Sequence, residues 1–178
     1  MKKLLVMSMI FAGLGLATAG YADVVTLAPT QVAVIDDGNG NAQVAVQFDL
    51  SGLREGAGRR IESAILDWTV EGAPEEDEAG FAAFPLTAAW DDEAIESELA
   101  ELSIGESEAG SWVITPDEHE NGLGETVRMS VTGAVADWAA SPEGNHGLVI
   151  TTSAIAAEAL AGQAGELRLV VAYGFVGE

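Results

Sequence analysis

The chain has 178 residues, with 29 acidic side chains against seven basic ones, no cysteine, and a formal charge of −22 at pH 7. Such a field repels phosphate backbones and anionic lipid headgroups, which argues against nucleic-acid binding and against adhesion to a membrane surface. Without cysteine there is no disulfide framework, thiol nucleophile or thiolate metal site, so the fold must rest on an apolar core and sheet hydrogen bonds.

Residues 1–22 read as a secretory signal. Lys2 and Lys3 form the charged start, Leu4 to Leu16 the apolar stretch, and Ala19-Gly-Tyr-Ala22 the small-residue cleavage region. An apolar run that ends in Gly, Thr and Tyr with no basic flank is too weak for a membrane anchor, so no insertion is expected after cleavage. The mature chain is expected to begin at Asp23, to be secreted to the exterior or the periplasm, and to form one domain over residues 23–178. Both lysines leave with the signal, so five arginines (Arg54, Arg59, Arg60, Arg128, Arg168) then face 29 acids, a charge of −24. Solubility in a salty exterior, where screening weakens self-repulsion, is the favoured reading of that charge over a specific cation-binding role.

In chain order, alternating or apolar runs predict about nine strands: Val24 to Leu27, Gln31 to Ile35, Gln43 to Phe48, Ile61 to Val70, Phe84 to Trp90, Ser111 to Thr115, Thr126 to Val131, Leu148 to Thr152 and Leu167 to Tyr173. The fourth is the clearest. Ala64, Leu66, Trp68 and Val70 fall on one face of a pleated strand, and Ile65, Asp67, Thr69 and Glu71 on the other. Turn chemistry separates the runs at Asp36-Asp-Gly-Asn-Gly-Asn41, Gly56-Ala-Gly58 and Ser141-Pro-Glu-Gly-Asn145. Many short strands with Gly-rich turns point to an all-β antiparallel sandwich rather than βαβ units.

Three segments suit short helices in the crossovers. Asp91 to Leu102 places Ile95, Leu99 and Leu102 on one face behind an Asp91 N-cap; Gly133 to Ala140 sets Val135 and Trp138 three apart; Ser153 to Ala161 is alanine-rich and closed by Gly162. The acidic stretch Pro74-Glu-Glu-Asp-Glu-Ala-Gly80 reads as a solvated connection.

Taken together, Phe48-Asp-Leu-Ser-Gly-Leu53, Ile61-Glu-Ser-Ala-Ile-Leu66, Trp90, Val131-Thr-Gly-Ala-Val-Ala-Asp-Trp138, Asn145-His-Gly-Leu148 and Leu167-Arg-Leu-Val-Val-Ala-Tyr173 resemble the DNRLRE-type domain, also called carbohydrate-binding module family 96. The resemblance spans roughly residues 43–174. It implies a jelly-roll sandwich of the kind found on secreted polysaccharide-degrading enzymes and surface proteins, some of which bind acidic glycans such as alginate. The chain departs from the family in a shortened N-terminal part and in Gly165-Glu166, where members often carry Arg-Pro before the last strand. The matched residues themselves read as core anchors: Val135 and Trp138 aim inward, and Asn145-His-Gly147 turns the chain into its next strand.

Few residues invite a ligand. Trp68 shares an apolar face, and Trp90 and Trp138 coincide with the family's core positions, which leaves Trp112 as a candidate platform for a sugar ring, with core packing as the competing reading. Asp37, Asn39 and Asn41 alternate like calcium ligands, but Ala42 and Phe48 stand where a calcium loop needs glycine and glutamate, and a hairpin turn explains them equally. Asp117-Glu-His-Glu120 lacks a second histidine at ligand spacing, so a solvated loop is the simpler reading there; no cofactor is expected, with calcium at Asp37, Asn39 and Asn41 as the alternative. No nucleophile elbow, phosphate loop or dinucleotide fingerprint appears. The expected function is non-catalytic binding of an extracellular polysaccharide. A structural or interaction protein of the cell surface or matrix, and a hydrolase built on an acid pair, are the alternatives.

Overall fold

Alternation of side chains along extended backbone builds this molecule. In the computed structural model, which describes residues 23–36, 42–53, 59–70, 79–90, 103–114, 125–152 and 157–175, nine strands lie among the described residues. They are β1 (Asp23–Leu27), β2 (Pro29–Asp36), β3 (Ala42–Phe48), β4 (Arg59–Val70), β5 (Ala79–Pro85), β6 (Gly110–Ile114), β7 (Glu125–Ser130), β8 (Leu148–Thr152) and β9 (Arg168–Phe175). Two short helices join them, α1 (Thr132–Ala140) and α2 (Ala157–Gln163), each followed by a 3₁₀ turn, Pro142–Gly144 and Ala164–Glu166.

All pairings are antiparallel. One sheet has the order β1-β9-β4-β7 and the other β2-β3-β8-β5-β6, and their apolar faces enclose one core. In β4 the inward set is Ile61, Ala64, Leu66, Trp68 and Val70, with a bulge between Ile61 and Ser63 that keeps the later residues in phase. Trp68 is 1 % exposed, meets Phe81 edge to face at 6.3 Å, and donates its ring N–H to the Gln163 carbonyl at 3.0 Å.

The two sheets meet closely on one side. At Gly110 in β6 an added Cβ would strike the Ser130 carbonyl of β7, so only glycine lets these margins converge. On the other side α2 and the 3₁₀ turn Ala164–Glu166 pack against β2, with Leu160 and Ala164 buried in the core.

Two expectations from sequence require correction. The fifth strand runs over Ala79–Pro85, not Phe84 to Trp90, so Ala79 and Gly80 belong to the sheet rather than to a solvated connection. Pro85 has no N–H to continue the ladder, and beyond it only Leu86 forms a bridge, to Ile104. Gly162 does not close α2: the helix continues to Gln163, because a glycine costs only about 1 kcal/mol against alanine and the buried Leu160 and Ala164 hold the turn inward. The helix expected at Gly133 to Ala140 is present as α1, with Val135 and Trp138 buried. That expected over Asp91 to Leu102 lies outside the described residues.

Candidate functional site

Two hollows stand out, and each is made by strand register. The larger, about 390 Å³, is a shallow depression in the five-stranded sheet. Gln43, Thr151, Ala82 and Ser111 are successive Cα partners across β3, β8, β5 and β6, so they form one transverse row. Their strand neighbours Ala42, Thr152, Phe81 and Trp112 alternate with them and face the other way, toward the core. Gly80 and Val113, the next outward pair, complete the lining.

Small residues make the depression. A Cβ at Gly80 would meet nothing within 4 Å, and Ala82 adds only a methyl group, so the floor lies low between the amide of Gln43 and the hydroxyl of Ser111. The row spans three inter-strand spacings, about 14 Å at about 4.8 Å each. Thr151 holds the Ala82 carbonyl only at 3.4 Å. One row along the same outward face, Ala45 and Val149 are fully buried, so the face is closed there and opens at the Gln43 row. No described lining residue is ionisable.

Trp112 stands on the edge strand β6, opposite Phe81. It is half-buried, packs against the core and also lines the depression. Across Phe81 in the same inward row, Thr152 is 4 % exposed, and its hydroxyl has no hydrogen-bond partner among the described residues. Sequence reasoning singled out Trp112 but missed Gln43, Thr151 and Ser111. Their only signal is a polar residue on the outward phase of an otherwise apolar strand.

The second hollow, about 300 Å³, lies where β3 ends, and Gln47, Asp49, Ser51 and Asn145 are among its lining. Here the motif segments interlock. Asn145 donates its side-chain N–H to the Phe48 carbonyl at 3.0 Å, Gln47 donates to the Asn145 carbonyl at 2.9 Å, and Trp90 donates its ring N–H to the His146 carbonyl at 2.9 Å. Gly147 has a φ of +94°, and an added Cβ would collide with the Val46 carbonyl. Thr132 ties the start of α1 to β4 by accepting from the Ala64 N–H at 2.9 Å, while the Val131 N–H donates to the Ala64 carbonyl. Asp49 accepts from the Ser51 N–H at 2.9 Å, and that bond holds its carboxyl below the usual carboxylate range.

Among the described residues no group of three or more His, Asp or Glu converges as a metal site. Asp37, Asn39 and Asn41, and the Asp117 to Glu120 run, lie outside those residues. No described helix is long and apolar enough to cross a membrane. Compared with protein-family models and with curated proteins, the chain has no match.

Proposed function

We propose that this chain is a secreted, non-catalytic jelly-roll module that binds an extracellular polysaccharide along the outward face of its five-stranded sheet. The observation that carries the reading is the Gln43–Thr151–Ala82–Ser111 row: amide and hydroxyl groups lining an open, low-floored trough about 14 Å long, with Trp112 in its lining. Sugars are recognised by such hydrogen-bonding side chains lining a cleft. A trough whose described lining has no carboxylate suits binding rather than acid–base cleavage, which needs two.

The jelly-roll assignment is supported by nested pairing. β1 pairs with β9, β3 with β8, β4 with β7 and β5 with β6, as if one long hairpin were folded at the β5–β6 connection, with β2 added beside β3. Winding that double ladder around a core brings β9 beside β4 and β8 beside β5, which are the remaining pairings. The segments that carry the resemblance to the DNRLRE-type domain bond to one another in this fold, Phe48 to Asn145, Trp90 to His146, and Ala64 to Thr132.

Affinity electrophoresis and a glycan array, with and without calcium, test the reading. Retention by at least one polysaccharide is expected, and Gly80→Gln, which fills the trough, is expected to weaken it about tenfold or more while the free energy of unfolding stays within about 0.5 kcal/mol of the parent. Trp112→Ala is expected to weaken retention as well. Binding indifferent to Gly80→Gln removes the trough from the proposal, and no retention by any polysaccharide removes the function.

A further inference from the structure

The polar groups of the trough are all of one kind. Gln43, Ser111 and Thr151 each both donate and accept hydrogen bonds, and no described residue in the lining is ionisable. Arg60, Arg128 and Arg168 belong to β4, β7 and β9, in the other sheet. Packed sheets stand about 10 Å apart, so these guanidinium groups lie out of reach of a ligand on the outward face of the five-stranded sheet. Arg60 and Arg128 moreover stand 3.6 Å from Glu62 and 3.4 Å from Asp67. The remaining arginines, Arg54 and Arg59, come after the end of β3 and no later than the first residue of β4, whereas the trough lies at the start of β3. Residues 37–41, 71–78, 115–124 and 153–156, which join the lining strands at Ala42, Ala79, Ile114 and Thr152, hold nine acids, one histidine and no lysine or arginine. The segments attached at this margin therefore bring the trough no fixed cation.

We propose, resting on the sugar-binding reading of this trough, that it selects uncharged glycan chains and rejects polyuronates and sulfated chains, against the acidic ligands that the family resemblance implies. Sugar hydroxyls donate and accept, as Gln43, Ser111 and Thr151 do, so an uncharged chain exchanges its bonds to water for matched bonds to the row. A carboxylate or sulfate group only accepts, and arginine holds it best, through paired charge-assisted bonds roughly twice as strong as neutral ones. In the trough it would give up hydration for neutral donors alone, with no cationic side chain to offset the cost. The charge of the chain, −22, or −24 without Lys2 and Lys3, adds a repulsion of the same sense. At physiological salt the Debye length is about 8 Å and that long-range repulsion is damped, so the lack of a cation in the trough is the larger of the two effects.

Affinity electrophoresis of the full chain at about pH 8, where an ordinary histidine is neutral, tests this. The uncharged probes are galactomannan, xyloglucan and a β-1,3-glucan, and the polyanions are alginate, polygalacturonate and carrageenan. Each is run with EDTA and with calcium, at about 50 mM and about 500 mM salt. At least one uncharged probe is expected to retain the chain in EDTA, with less than about a twofold change between the two salt levels because no ion pair is there to be screened. Gly80→Gln is expected to weaken that retention about tenfold or more, and the polyanions are expected to let the chain pass. Retention by polyanions alone, retention by a polyanion that Gly80→Gln weakens, with calcium or without it, or uncharged-probe retention that falls steeply with salt overturns the selectivity and leaves sugar binding standing. Retention by no probe at all overturns the sugar-binding reading and the selectivity together.

Discussion

The corner at Asn145–Gly147 and the trough on the five-stranded sheet differ in what their residues are for. At the corner, amide, indole and main-chain groups from Gln47, Phe48, Trp90, Asn145 and His146 bond to one another. In the trough, Gln43, Ser111 and Thr151 stand on the outward face of a sheet whose own hydrogen bonds are already made. The most recognisable residues of the sequence are therefore committed inward to holding the fold, and the surface best suited to a ligand is assembled from inconspicuous ones. A module can keep such a corner and change its ligand by altering a few side chains on one sheet face.

The sharpest way to break this contrast is Gly147→Ala. It asks an L-residue to hold a φ of +94° and drives a methyl group into the Val46 carbonyl. A loss of at least about 2 kcal/mol is expected, read as a shifted denaturation midpoint in urea with an unchanged slope. An unchanged midpoint would show that the corner yields easily and that its hydrogen bonds are not what fixes the β3–β8 junction.

A smaller effect of opposite sign is expected beneath the trough. Thr152 is sealed beside Phe81 and Ala42, and its hydroxyl, without a partner among the described residues, carries a desolvation cost. Thr152→Val keeps the shape and removes that cost, so a gain of about 1 kcal/mol is expected in the same denaturation experiment. A loss instead would mean that the hydroxyl bonds a water or a ligand group, which would turn Thr152 from a buried blemish into part of the site.

The parts legible from sequence follow the same division. β4 could be read because Ala64, Leu66, Trp68 and Val70 keep strict alternation, and each is buried. β5 was displaced by five residues because Ala79 to Trp90 is apolar almost throughout, so periodicity cannot choose between its halves; Pro85 marks the boundary through its missing N–H. The trough could not be read, since positions 43, 80–82, 111 and 151 become neighbours only through pairing across four strands. Trp112 drew notice as the odd tryptophan, yet its place opposite the inward-facing Phe81 depends on a register that no local pattern encodes.

The smallest expected effect lies at the rim of the corner and depends on pH. Asp49 accepts the Ser51 N–H at 2.9 Å, and this bond favours the ionised carboxylate, so its folded pKa lies below the ordinary 3.8. A depressed folded pKa contributes stability that is present above the unfolded value and fades as pH falls through the folded one. Asp49 is exposed, so solvent screening keeps the contribution small, and it must be separated from the protonation of the other acids. Asp49→Asn retains an oxygen able to accept the Ser51 N–H but cannot ionise. The difference in thermal midpoint between the parent and this variant should therefore favour the parent at neutral pH and shrink toward zero as the pH drops below the usual carboxylate range. A difference that stays constant with pH would mean that the Ser51 bond does not depend on the charge, and that the corner owes its geometry to the neutral network of Asn145, Gln47 and Trp90 alone.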